Sequence, residues 1–198
     1  RVLVACAACR VSAITVWPKR SLCAAFAIAL VCHVSALSGP KTPNNWKAIN
    51  TLYGGSGFGQ PSPLKTYENA VAIQTNALES TAAITVFPET VTHRWTSATD
   101  LFWQPTFDQL KQQQRTVLIG AGESIPGKKQ YRNVLIIRGG QSGKFEQRIP
   151  LPYAMWRPFS NDGVPLNITG PSTIKIGRDR VAPLICYEQL LVLPVLTS

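Results

Sequence analysis

Val181-Ala182-Pro183-Leu184-Ile185-Cys186-Tyr187-Glu188 is an apolar run that stops at a thiol. It reads as a short buried strand with a cysteine at its end, where a hydrogen-bonded, pleated backbone would hold the side chain rigidly. Ile84-Thr85-Val86-Phe87-Pro88-Glu89 repeats the arrangement with an acid. Pro88 has no N–H to continue a central ladder, so this strand stops and Glu89 stands at its mouth. Working outward, Thr116–Ala121 (with Gly120 as the exit), Tyr131–Ile137 and Ser172–Ile176 read as further strands. Leu64–Ser80 reads as a helix with Tyr67, Ala70, Val71 and Leu78 on one side. Thr99–Gln114 reads as a second helix, with Asp100 placed well against the N-terminal dipole. Strands alternating with helices argue for an α/β fold, its helices packed on a sheet. The pattern does not separate a sandwich from a doubly wound sheet.

At 198 residues the chain is long enough for one domain with a real core. Its first 38 residues differ from the rest. Ser21–Ser38 carries no Asp, Glu, Lys or Arg, and fits a short membrane helix, with a cleaved signal peptide as the rival reading because Ala and Ser crowd its end. Val2–Trp17 is apolar apart from Arg10, as the end of a preceding span would be. Pro18-Lys19-Arg20 between them is a basic turn that the positive-inside rule puts in the cytoplasm, so the second helix exits outward. The expected organisation is a transmembrane region at 1–38, a Pro- and Gly-rich connector at 39–63 and a catalytic domain at 64–198. That domain would face the periplasm from a bacterial inner membrane.

The five cysteines offer no disulfide framework: Cys6, Cys9, Cys23 and Cys32 lie in the apolar N-terminal region, and Cys186 stands alone beyond it. Cys6-Ala7-Ala8-Cys9 has redox spacing without the strand-turn-helix context that reading needs. No His or Cys pairs have metal-ligand spacing, so neither metal nor cofactor is implied. The formal charge of +10 raises a nucleic-acid partner, and Lys111–Arg148 holds eight Lys or Arg against two Glu. Aromatic residues are not interleaved there as in a single-strand platform, and a basic face beside an anionic membrane accounts for the excess more simply.

A lone strand-end cysteine is usually a small buried hydrophobe; thiol and acid together suggest nucleophile and base. Val86-Phe87-Pro88-Glu89-Thr90 and Ile185-Cys186-Tyr187-Glu188 resemble the acid and nucleophile motifs of the carbon–nitrogen hydrolase (nitrilase) superfamily. The Cys-Tyr-Glu triplet is similar to the apolipoprotein N-acyltransferase branch, and Gln147–Pro158 resembles the conjugal-transfer TraB type. The resemblance implies an αββα sandwich that lacks its C-terminal elements here. It also implies a membrane-anchored hydrolase or N-acyltransferase working through a Cys acyl-enzyme on a small-molecule or lipid-linked acyl substrate. Conjugation-machinery proteins are the implied partners. The alternative is a non-catalytic component of a conjugation or envelope assembly that keeps the fold.

Such a site uses a thiolate nucleophile, a carboxylate base and a cation, normally Lys, for the oxyanion. Cys186 and Glu89 match the first two motifs; the position matching the Lys is Gln147, which carries no charge. Neighbouring Arg148 is the expected surrogate, a permanent charge that cannot serve as a general acid. Glu188, two residues past the nucleophile, would share its face on a strand and help to orient the site, or pair with an Arg. Trp156, in a Pro-rich loop, is the expected contact for an acyl chain.

Overall fold

A computed structural model describes residues 24, 26–31, 34, 44–51 and 62–196. Contacts divide the chain into two units, Arg1–Thr42 and Pro43–Ser198. Residues 24, 26–31 and 34 of the first unit are helical and exposed, with Phe26, Ile28 and Val31 among them. Most of the expected Ser21–Ser38 span, and all of Val2–Trp17, lie outside the described residues. Among those described, no helix is long and apolar enough to cross a membrane.

The second unit is mixed α/β. Its elements in chain order are β1 (Trp46–Ala48), α1 (Pro63–Glu79), β2 (Ile84–Val86), β3 (Thr92–Trp95), α2 (Ser97–Gln112), β4 (Thr116–Ser124), β5 (Lys129–Gly139), β6 (Gly143–Glu146), β7 (Asp162–Gly163), β8 (Ile174–Ile176) and β9 (Asp179–Val181). A 3-10 helix, Cys186–Leu190, and a short α3, Val192–Leu196, follow. Both expected long helices form. α1 starts where the Ser62 hydroxyl accepts the Lys65 N–H and Pro63 supplies a preset φ. α2 starts at Thr96, whose side chain and that of Thr99 cap each other's backbone N–H. On α1 the buried residues are Ile73 and Ala77, flanked by Ala70 and Leu78, while Tyr67 and Val71 stay exposed.

The seven-stranded sheet runs β1-β2-β4-β5-β6, with β3 added to β4 and β7 to β5. β1, β2 and β3 join in parallel; β4, β5 and β6 are antiparallel. The connector expected at 39–63 therefore contributes a strand of its own, Trp46–Ala48, which hydrogen-bonds along β2. Alternation gives the sheet two unlike faces. Val117, Ile119, Ala121, Val134 and Ile136 pack beneath the helices with Trp103, Phe107 and Leu110. On the opposite face, Leu118 and Ile137 meet Ile176, with Ile174 and Val181 beside them, from the β8–β9 ribbon. The described chain is thus one helix layer, one sheet and a two-stranded ribbon, rather than the four layers of an αββα sandwich.

The strand expected to end at Cys186 is absent. Asp179–Val181 turns back on β8 through Gly177, and residues 182–185 have no ladder. Pro183 brings no N–H, and the Ile185 N–H is donated to the Glu188 side chain 2.9 Å away. The thiol therefore opens a 3-10 turn.

Candidate active site

β2 and β3 lie in succession along one edge of β4, Ile84–Val86 against Thr116–Leu118 and Thr92 against Ala121. Between them the chain leaves the ladder through Pro88-Glu89-Thr90, with Thr90 at φ +50°. Gly120, expected to end its strand, sits mid-strand and lets this turn approach. A Cβ there would stand 2.3 Å from the Pro88 carbonyl oxygen and 2.6 Å from Glu89 Cα. Pro88 ends the pairing and Gly120 makes the room, so Glu89 is set over the ribbon face of the sheet.

Cys186 arrives from the other side with φ +55°, in the left-handed region that non-glycine residues seldom occupy. Strain of that kind concentrates at functional sites. Glu89 and Cys186 line one cleft of ≈ 270 Å³, whose walls include Trp46, Leu118, Leu135 and Ile185. No Lys, Arg or His is among its described lining residues. Although the cysteine as a residue is exposed, partial burial of its sulfur pushes the thiol above its ordinary value. The Glu89 carboxylate adds to the rise through its charge and as a hydrogen-bond acceptor, and the Tyr187 backbone opposes it. The thiol therefore holds its proton more tightly than an ordinary cysteine does.

Behind the pair runs a line of neutral amides. Asn133 Nδ2 donates to Glu89 Oε1 at 2.6 Å and to Gln147 Oε1 at 3.1 Å. Gln147 Nε2 donates to the carbonyl oxygen of Ile185 at 3.0 Å. Asn133 and Gln147 are both buried. Gln147 thus reaches the backbone just before Cys186, and its amide is engaged at both ends.

Arg148 and Glu188 form a different unit. Glu188 is 0 % exposed; its Oε1 accepts the Arg148 and Ile149 N–H groups at 2.7 and 3.0 Å, and its Oε2 accepts that of Ile185. The Arg148 guanidinium lies 3.7 Å from the same carboxylate, and its Nη2 donates to the Pro194 carbonyl oxygen. Glu188 is not on a strand face beside the thiol, because the backbone at Cys186 coils and carries it inward. There it clamps the segment after β6 to the segment before the thiol.

No protein-family model matches the chain. Over 168 residues it is 30% identical to a probable conjugal transfer protein TraB of Sinorhizobium fredii, covering 80% of this chain and 41% of that protein. Over 164 residues it is 29% identical to the conjugal transfer protein TraB of Agrobacterium fabrum, covering 80% and 38%. The chain is similar to part of each of these TraB conjugal transfer proteins. It spans about two fifths of the length of these curated relatives.

Trp156 lies apart from the Cys186 cleft, of which it is not a lining residue. Its backbone is used in a tight turn: it donates to the Leu151 carbonyl oxygen, accepts from Tyr153 and bridges to Gly163. The residue that sequence reasoning missed is Asn133. Its signal was present, an amide inside Tyr131-Arg132-Asn133-Val134-Leu135-Ile136-Ile137, where a buried strand position otherwise takes an apolar side chain.

Proposed function

We propose that this chain carries a thiol acyl-transfer centre of the carbon–nitrogen hydrolase type, in a protein that serves conjugal transfer. The observation that carries the reading is the Cys186 thiol and Glu89 carboxylate meeting in one apolar cleft. In the forward step Sγ adds to a substrate carbonyl carbon as the thiol proton passes to Glu89. The tetrahedral adduct collapses, the bond to the leaving group breaks, and the leaving group takes that proton. Water or an amine then attacks the thioester and gives its proton to Glu89; Sγ departs and recovers a proton from that carboxyl group. Hydrolysis and acyl transfer differ only in the second nucleophile, and the apolar walls favour an acyl group without charge.

The names of the TraB relatives support the link to conjugation, with other components of the machinery as partners. The β8–β9 ribbon, laid on the face opposite the helices, supports a reading as the start of a second sheet. The uncharged Ser21–Ser38 run and the Pro18-Lys19-Arg20 turn support anchoring in the inner membrane with the cleft on the periplasmic side.

One observation favours a second reading, a non-catalytic component of the transfer apparatus: among the described residues the cleft offers no cation to an oxyanion, and Arg148 is bound to Glu188. Exposure of the intact protein to an acyl p-nitrophenyl ester, followed by intact mass, separates the two. A single acyl adduct that is lost in both Cys186→Ala and Glu89→Ala supports the enzyme. An unmodified protein, or labelling indifferent to Glu89, supports the scaffold.

A further inference from the structure

We propose that Asn133 and Gln147 are positioning residues that hold the Glu89 carboxylate against the thiol by tethering it to the backbone just before Cys186. This rests on the reading of Cys186 and Glu89 as nucleophile and base. Each amide has its direction fixed by its neighbours. Ile185 presents only a carbonyl oxygen, so Gln147 must turn Nε2 to it and Oε1 away; Asn133 must then turn Nδ2 toward Gln147, and the same nitrogen reaches Glu89. With Oε1 held by Asn133, the other carboxylate oxygen is left to take the thiol proton.

A role confined to stability accounts poorly for this arrangement. Asn133 occupies the sheet face of Leu135 and Ile137, where an aliphatic side chain would bury cleanly, and its own Oδ1 is buried without a hydrogen-bond partner among the described residues. Native folds leave few buried polar atoms unsatisfied, and such exceptions call for a reason. The tether is also uncharged. A lysine in place of Gln147 would neutralise Glu89 and lower the thiol, whereas two amides fix the carboxylate and leave its charge acting on the sulfur.

Two rates measured on the intact protein test this: alkylation of Cys186 by iodoacetamide across pH, and acylation of Cys186 by p-nitrophenyl butyrate. In Asn133→Leu the carboxylate is released, so the alkylation midpoint should move toward lower pH, as in Glu89→Gln, while acylation slows about 10²-fold. Gln147→Met should shift both in the same directions by less. The near-ultraviolet signal of the Trp95–Trp103 pair, on the helix face, reports folding separately; if Asn133→Leu loses it, Gln147→Met carries the test. A folded variant that keeps the wild-type alkylation midpoint overturns the tether. A wild type that fails to acylate, while the midpoints shift as expected, removes the acyl chemistry but leaves the positioning of Glu89 supported.

Discussion

The two faces of one sheet use the same strands for opposite ends. Beneath the helices, β4 and β5 present Val117, Ile119, Ala121, Val134 and Ile136, closed over by the ring cluster of Trp95, Trp103 and Phe107. On the reverse, the same two strands present Leu118, Gly120, Gly122, Asn133 and Leu135. There two glycines clear space and one amide binds an acid. The helix face gains stability from filling volume; the ribbon face gives up volume at Gly120 so that Glu89 can stand where the thiol arrives. On the proposed function the pleat separates stability from chemistry, and substitutions one residue apart in β4 should fall into different classes.

The largest effect should come from Cys186→Ala, which removes the acyl adduct altogether while the unfolding transition stays near that of the wild type. Trp103→Ala should do the reverse. Emptying a fully buried indole costs about 3–5 kcal/mol, read by denaturant unfolding, while the Cys186 alkylation profile keeps its wild-type midpoint below the transition. Glu188→Ala strips the acceptor from three backbone N–H groups and leaves the buried Arg148 guanidinium without its carboxylate. A loss of about 3–5 kcal/mol is expected, and protection of the Arg148–Ile149 amides in hydrogen exchange should fall with it. Gly120→Ala should cost less stability, about 1–3 kcal/mol for a forced backbone shift. It should slow acylation more than Ala121→Ser, the adjacent change on the helix face. If the two behave alike, the division between faces is wrong.

The smallest effect concerns pH. The folded chain holds the Cys186 proton more tightly than the unfolded chain does, since burial and Glu89 raise the thiol. That contribution to stability is fully present below the ordinary thiol range, and is lost as pH rises through the raised folded value. Wild-type stability should therefore fall more steeply across alkaline pH than that of Cys186→Ala, as seen in parallel thermal melts.

The strands β2, β4 and β5 and both long helices were legible in the sequence, because apolar periodicity and an acid near a helix start, Asp100, are local signals. Cys186 and Glu89 were legible as a pair for the same reason, Pro88 marking where the acid's strand must end. What could not be read was set by distant contacts. Trp46–Ala48 is a strand only because β2 offers an edge. The apolar run before Cys186 fails to become one because Pro183 interrupts it and Glu188 takes the Ile185 N–H. Gly120 looks like a strand exit until the Pro88–Glu89 turn is seen resting on it. The roles of Gln147 and Arg148 likewise depended on partners some 40 residues away, Ile185 and Glu188.

The most direct test of the Cys186–Glu89 pair is a comparison of two rates in wild type and Glu89→Gln at neutral pH: iodoacetamide alkylation and acylation by p-nitrophenyl butyrate. If Glu89 both raises the thiol and takes its proton during attack, Glu89→Gln should alkylate faster and acylate more slowly. Rates that change in the same direction, or not at all, would contradict the assignment of Glu89 as base.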